Sequence, residues 1–176
     1  MIEVKGSFTG VLRRADGTEE VIEKDNLIVS AGYDLLFNRL FQTQNENYSN
    51  SRALQYIAVG TGANAAAPDQ KKLTAFLDAM NAQYFHTAGT KECKVVATFG
   101  TGRTIGAITE AAVCYSTNNS GPTKEDHVIF DRVVFPAINK GTEDVYTCTF
   151  KFVLAELKEG KDGILRLLAE MSAASA

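Results

Sequence analysis

The stretch Gln55–Leu73 reads QYIAVGTGANAAAPDQKKL. Tyr56-Ile57-Ala58-Val59 is an apolar run that feeds straight into Gly60-Thr61-Gly62. A strand running into glycines is how a dinucleotide-binding turn begins. That turn needs a third glycine, G-x-G-x-x-G, and must open a helix at once. Here Ala63-Asn64-Ala65 follows, and Pro68 intervenes before any helical spacing. The other phosphate loop, G-x-x-x-x-G-K-[ST], is not matched either. A second glycine-rich piece, FGTGRTIG over 99–106, has strand pattern on both sides and no helix start. Gly60, Gly62, Gly100 and Gly102 are therefore read as structural glycines. Glycine allows positive φ and lets backbone approach closely where a sheet bends.

Upstream, residues 1–29 carry a hairpin pattern. Phe8, Val11 and Leu12 lie in one run; Val21, Ile22, Leu27, Ile28 and Val29 lie in the return. Between them Asp16-Gly17 is a strong hairpin signal, so Gly17 is read as a turn. Gly6 and Gly10 are expected to weaken the first strand and to mark a bulge. Ser30 is placed to cap a helix, in which Tyr33, Leu36, Phe37, Leu40 and Phe41 recur at helical spacing. The polar stretch QTQNENYSNSR, 42–52, reads as an exposed loop.

Downstream, Pro68 followed by Leu73, Phe76, Leu77 and Met80 fits a second, shorter helix. Cys93 to Phe99 alternates, and Ile108 to Tyr115 resumes the strand pattern. STNNSGPTKED, 116–126, is a loop of turn formers. His127 to Phe135 is apolar and ends at Pro136. Asp144 to Leu154 alternates cleanly, with Tyr146, Cys148, Phe150, Phe152 and Leu154 on one face, as in a half-buried antiparallel strand. Strands cluster at both ends of the chain with helices between, which is not a βαβ rhythm. The fold class is mainly β with inserted helices: an antiparallel, jelly-roll-like β-sandwich carrying one or two helices. One sandwich domain is expected over 1–160, with helices near 31–43 and 70–82. Residues 161–176 are expected to form a helical or frayed tail.

The chain has 176 residues, 45% of them hydrophobic, and a net charge of -3. That length fits one domain with a real core. The charge argues against a nucleic-acid partner, whose footprint is usually basic. No secretory leader pattern opens the sequence, and no apolar run approaches the ~20 residues of a spanning helix. Synthesis in a cytoplasm without membrane partners is the expectation. Cys93, Cys114 and Cys148 are odd in number and lack CxxC spacing, so they are expected to be reduced, small buried hydrophobes.

Chemistry is sparse. His86 and His127 have no metal-ligand spacing. Glu125-Asp126-His127 enters a strand, so its side chains alternate between faces, and it is read as a solvated loop end. No serine lies in G-x-S-x-G. No catalytic, cofactor or metal residue is assigned, and no cofactor is expected. A small enzyme with a triad assembled from distant residues stays open as an alternative. The strands from Ile108 and from Asp144 carry apolar residues on more than one face, for example Ala112 with Val113 and Val145 with Tyr146. The surplus suggests contact with another chain. Asn45, Asn47, Tyr48, Asn118 and Asn119, in the two polar loops, are the candidate interaction residues.

The order of segments carries a resemblance. DNLIVSAGYDLLFNRLF, YIAVGTGANAAAP, VVATFGTGRTIGAITEAAVCYS and VIFDRVVFPAINKGTEDVYTCTFKFVL follow one another from Asp25 to Leu154. In that order they resemble small virion proteins of tailed bacteriophages. The shared features are an Asn-Leu-Ile-Val strand before a helix, an IAVGTG strand-turn, a strand reading roughly I-E-A and a last strand pair around a proline-lysine turn. The 42–52 loop and the charged ELKEGKDG extension depart from some members. The resemblance implies a non-enzymatic structural protein of the virion, assembled in the host cytoplasm. Its implied partners are the major capsid protein or other virion proteins, with homo-oligomers. Two stations compete: a capsid decoration or cement protein, and a tail-fibre, collar or baseplate component. The absence of coiled coil or fibre repeat leans toward decoration.

Overall fold

The computed structural model describes residues 2–41, 56–116 and 120–156. Asn45, Asn47, Tyr48, Asn118, Asn119 and the 161–176 tail lie outside the described residues. The elements are β1 (Ile2–Arg13), β2 (Glu19–Asp25), β3 (Leu27–Ile28), α1 (Ser30–Phe41), β4 (Tyr56–Gly60), β5 (Phe76–Asn81), β6 (Gln83–His86), β7 (Glu92–Phe99), β8 (Gly106–Ser116), β9 (His127–Ile129), β10 (Asp131–Lys140) and β11 (Val145–Glu156).

They form two antiparallel sheets packed face to face. A five-stranded sheet has the order β2-β1-β11-β7-β6. A six-stranded sheet has the order β3-β10-β8-β4-β5, with β9 also against β8. The core between them takes Phe8 and Leu12 from β1, Val95, Ala97 and Phe99 from β7, and Tyr146, Cys148 and Phe150 from β11. The second sheet answers with Ile57, Val59, Ile108, Val113, Val133 and Ile138. The alternation read in β11 is the cause: its odd residues face outward and its even residues are buried up to Phe150.

Both sides of the sandwich are closed by strands that change sheets. On one side β2 passes through Asn26 into β3; on the other β5 passes through Ala82 into β6. Such corners let two sheets share one continuous strand. The Asn26 side chain fills the space where Gly6 lacks a Cβ and bonds Asp131 on β10.

Several expectations need correction. The helix expected near 70–82 is absent: β5 occupies Phe76–Asn81, paired with β4, and 67–75 is irregular. Its helical spacing is overridden because the Thr74 and Ala75 amides bond a buried carboxylate, and the next residues complete a sheet edge. The first helix is present over Ser30–Phe41, but Val29 occupies the cap, since its carbonyl accepts from the Tyr33 amide. Ser30 instead donates its amide to the Pro68 carbonyl at 2.7 Å. No bulge interrupts β1, which pairs in constant register through Gly6 and Gly10. Pro136 does not end its strand. β10 continues to Lys140, with a register shift between Val134 and Ile138 that accommodates a residue without an amide donor. Gly17 does sit in the hairpin turn, with φ of 86°.

Candidate functional site

The opening loop is built around a buried ion pair. Glu110 on β8 and Arg132 on β10 meet at 2.8 Å, both side chains fully buried. Glu110 accepts from the amides of Gly62 at 3.0 Å, Thr74 at 3.1 Å and Ala75 at 2.8 Å. Arg132 donates to the carbonyls of Asn64 and Ala65 and to the side chains of Gln70 and Asn64, at 3.0–3.2 Å. Within the turn, the Gly62 amide is thus taken by a carboxylate carried on the sheet and the Thr61 amide by the Ala75 carbonyl. The whole of 60–75 is tied to the outer face of the second sheet.

This arrangement explains Gly60 and Gly62. Neither is among the glycines with positive φ. A Cβ on Gly62 would stand 2.6 Å from Glu110 Oε1 and 2.7 Å from Thr74 Cβ. A Cβ on Gly60 would meet the Ala75 carbonyl and stand 2.5 Å from Glu110 Oε1. Both glycines serve close approach, one of the two reasons the sequence suggested.

The second glycine-rich piece has the opposite polarity. The buried Lys140 ammonium donates to the carbonyls of Gly100 and Arg103, both at 2.8 Å. Burial lowers its pKa, against the pull of nearby Asp144. Gly102 turns the chain with φ of 70° and donates to the Thr142 carbonyl. Nothing crowds Gly100, whose contribution is its carbonyl. Thr104 is held at φ 56°, rare for a β-branched residue, by a 2.5 Å bond to Asp78. Asp78 also takes Arg103 at 2.7 and 2.8 Å. Burial raises the Asp78 pKa, but the bonds from Arg103, Thr104 and Ala79 prevail and lower it.

His127 is a further correction. It is buried rather than solvated, with Nε2 accepting from the Leu73 amide at 3.0 Å and Nδ1 bonding the Thr123 carbonyl at 2.7 Å. The pair of bonds fixes a neutral imidazole with the proton on Nδ1. Burial lowers its pKa, against the Thr123 bond, which raises it. Glu125 lies apart at the surface beside Lys72.

The apolar surplus on β8 is also accounted for within the chain. Ala112 and Cys114 join Val29, Ala58, Leu73 and Ile129 in a second cluster on the outer face, covered in part by Ala31 and Phe76. It needs no partner. Cys114 and Cys148 are free and buried, and Cys93 is free and half-buried. Burial pushes the Cys114 thiol up to about 12 and raises those of Cys93 and Cys148.

What remains open is a sheet edge. β6 closes the five-stranded sheet with no strand outside it among the described residues. Tyr84 is 66% exposed and Phe85 52%. The Tyr84 and His86 rings lie 6.3 Å apart, and His86 Nδ1 meets the Glu92 carbonyl at 2.8 Å. They border a shallow hollow that includes Thr90 and Lys94.

The sequence could have shown the buried charges. Glu110 stands alone in AITEAAV, and Arg132 stands beside Asp131 in IFDRVVF, charged residues inside apolar runs where a solvated residue is out of place. Among the described residues no group of three His, Cys, Asp or Glu side chains is placed to hold a metal ion. No helix among them is long and apolar enough to cross a membrane. No protein family, curated protein or solved structure matches this chain.

Proposed function

We propose that this chain is a non-enzymatic structural protein of a tailed-phage particle, a capsid decoration protein that binds neighbouring chains through its sheet edges and loops. The observation that carries the reading is the contrast between interior and edge. Glu110, Arg132, Lys140 and His127 are engaged by the chain's own backbone, which leaves none of them presented to a substrate. The outer side of β6, by contrast, has no strand paired to it among the described residues and presents two exposed aromatic rings. Unpaired strand edges are templates for another chain. The order of sequence segments from Asp25 to Leu154 points the same way. Repetition over a particle lattice would multiply a modest contact through avidity.

The test is to prepare particles lacking this protein and measure their survival under heat or low salt, then add the purified protein back. Restored survival is the expected result. Unchanged survival with impaired attachment to the host would move the protein to the tail, as a fibre, collar or baseplate component.

A further inference from the structure

We infer that β6 is a self-pairing edge, on which a second copy of this chain docks antiparallel about a two-fold axis through Phe85. The inference rests on the reading that this chain works through its sheet edges, and names the partner of one edge.

The five-stranded sheet has two edges, β2 and β6, and they differ in how they are guarded. β2 reads EEVIEKD and is exposed at every position but Ile22. Whatever register a two-fold imposes on β2 against itself, at least one acidic residue faces another: Glu19 with Glu23 or Asp25, or Glu20 or Glu23 with its own copy. Like charges directly opposite are destabilising, and a charged edge is a common defence against pairing. β6 reads QYFH and carries no acidic or lysine side chain.

Self-pairing on β6 is complementary in one register. A two-fold through Phe85 sets Phe85 on Phe85 of the second copy, and Tyr84 on His86 in both directions. Opposed residues then share a face, as an antiparallel ladder requires. Tyr84 and His86 pair with Val95 and Cys93 on β7, whereas Phe85 pairs with Lys94. One face gains a cluster of Tyr84 and His86 rings. The other gains stacked phenyl rings flanked by Lys94 on each side. The two Lys94 residues are three strand spacings apart, roughly 14 Å. That exceeds the Debye length of about 8 Å at physiological salt, so their repulsion is screened.

Pairing β6 to β2 of a second copy is the competitor. Both strands run in the same direction in their sheet, each being antiparallel to its neighbour along β2-β1-β11-β7-β6. A head-to-tail repeat would join them in parallel, a weaker ladder, and would leave edges open at both ends. The two-fold closes. A four-residue edge from each copy is short of the ~1,200 Å² of a permanent interface, so the dimer is reversible.

Sedimentation velocity on the full chain, over micromolar to millimolar concentration, reads this directly. The wild type should pass from monomer to dimer. Phe85→Lys places like charges across the axis and should weaken the dimer at least tenfold, with an unchanged far-ultraviolet circular dichroism spectrum. Phe85→Glu should do the same. Mixing the two variants should restore dimer as a heterodimer, because only a residue on the axis faces its own counterpart. Val21→Lys, on the β2 edge, should change nothing. A wild type that stays monomeric throughout, a dimer indifferent to Phe85→Lys, or no recovery on mixing would overturn the inference. These outcomes need no particle. Restored particle survival by a strictly monomeric protein would refute self-pairing and leave the decoration role standing.

Discussion

At the scale of single residues, two groups of substitutions separate the physical causes at work. Glu110 and Arg132 are both fully buried, so removing either strands the other's charge in a dry site. Glu110→Ala or Arg132→Ala should each cost about 3–5 kcal/mol in denaturant unfolding. Replacing both with apolar residues of similar volume should recover much of that loss. A double variant that costs the sum of the two single variants would mean that the pair is not coupled. The glycines divide differently. A methyl group on Gly62 meets Glu110 Oε1 and Thr74 Cβ, whereas on Gly100 it meets nothing within 4 Å. Gly62→Ala should therefore destabilise by about 1–3 kcal/mol through overpacking, and Gly100→Ala should stay within about 0.5 kcal/mol of the wild type. A saturable rise in melting temperature with nucleotide would contradict the view that the Gly60–Gly62 turn is satisfied from within.

At the scale of elements, pH separates two junctions. His127 joins β9 to the 67–75 loop through the Leu73 amide. Its folded pKa is lowered, so its contribution is present above the ordinary value of 6.5 and is lost as pH falls through the folded value. Asp131 sits at the β9–β10 break, where it accepts from the Val113 amide at 2.7 Å and from Asn26. Burial outweighs those bonds and raises its pKa from 3.8 to about 7. Its contribution is fully present below 3.8 and is lost as pH rises through about 7. Thermal melts should show Asp131→Asn losing the stability decline between about pH 4 and 7, and His127→Gln losing the decline on the acid side of 6.5. Identical pH profiles for wild type and Asp131→Asn would reject the assignment. The sequence made the elements legible where one face alone is buried: β11 shows its alternation because Thr147 and Thr149 look outward while Cys148 and Phe150 look in. It hid β5, whose Phe76, Leu77 and Met80 keep helical spacing because the strand packs against two different clusters. The buried carboxylate that claims the neighbouring amides comes from Glu110, far along the chain. No local pattern around residue 75 announces it.

At the scale of the whole molecule, the first and last strands of the described residues make the middle of the five-stranded sheet. β1 pairs along its full twelve residues with β11, and β11 is paired on its other side with β7. β8 holds the same central place in the second sheet, between β4 and the β9–β10 pair. Neither sheet has its central ladder until distant strands have met, which predicts slow folding of an all-or-none kind. It also predicts a gradient of local stability from centre to edge. Hydrogen exchange on the native protein should find the slowest amides in β8 and β11, opening only with global unfolding, and fast amides in β6. The measurement belongs at concentrations low enough to keep the chain monomeric, because a partner at the β6 edge would add bonds there. Raising the concentration should then slow exchange in β6 while leaving β2 unchanged. If β11 exchanged as readily as β6 in the monomer, its pairing on both sides would not be setting the stability of the sandwich.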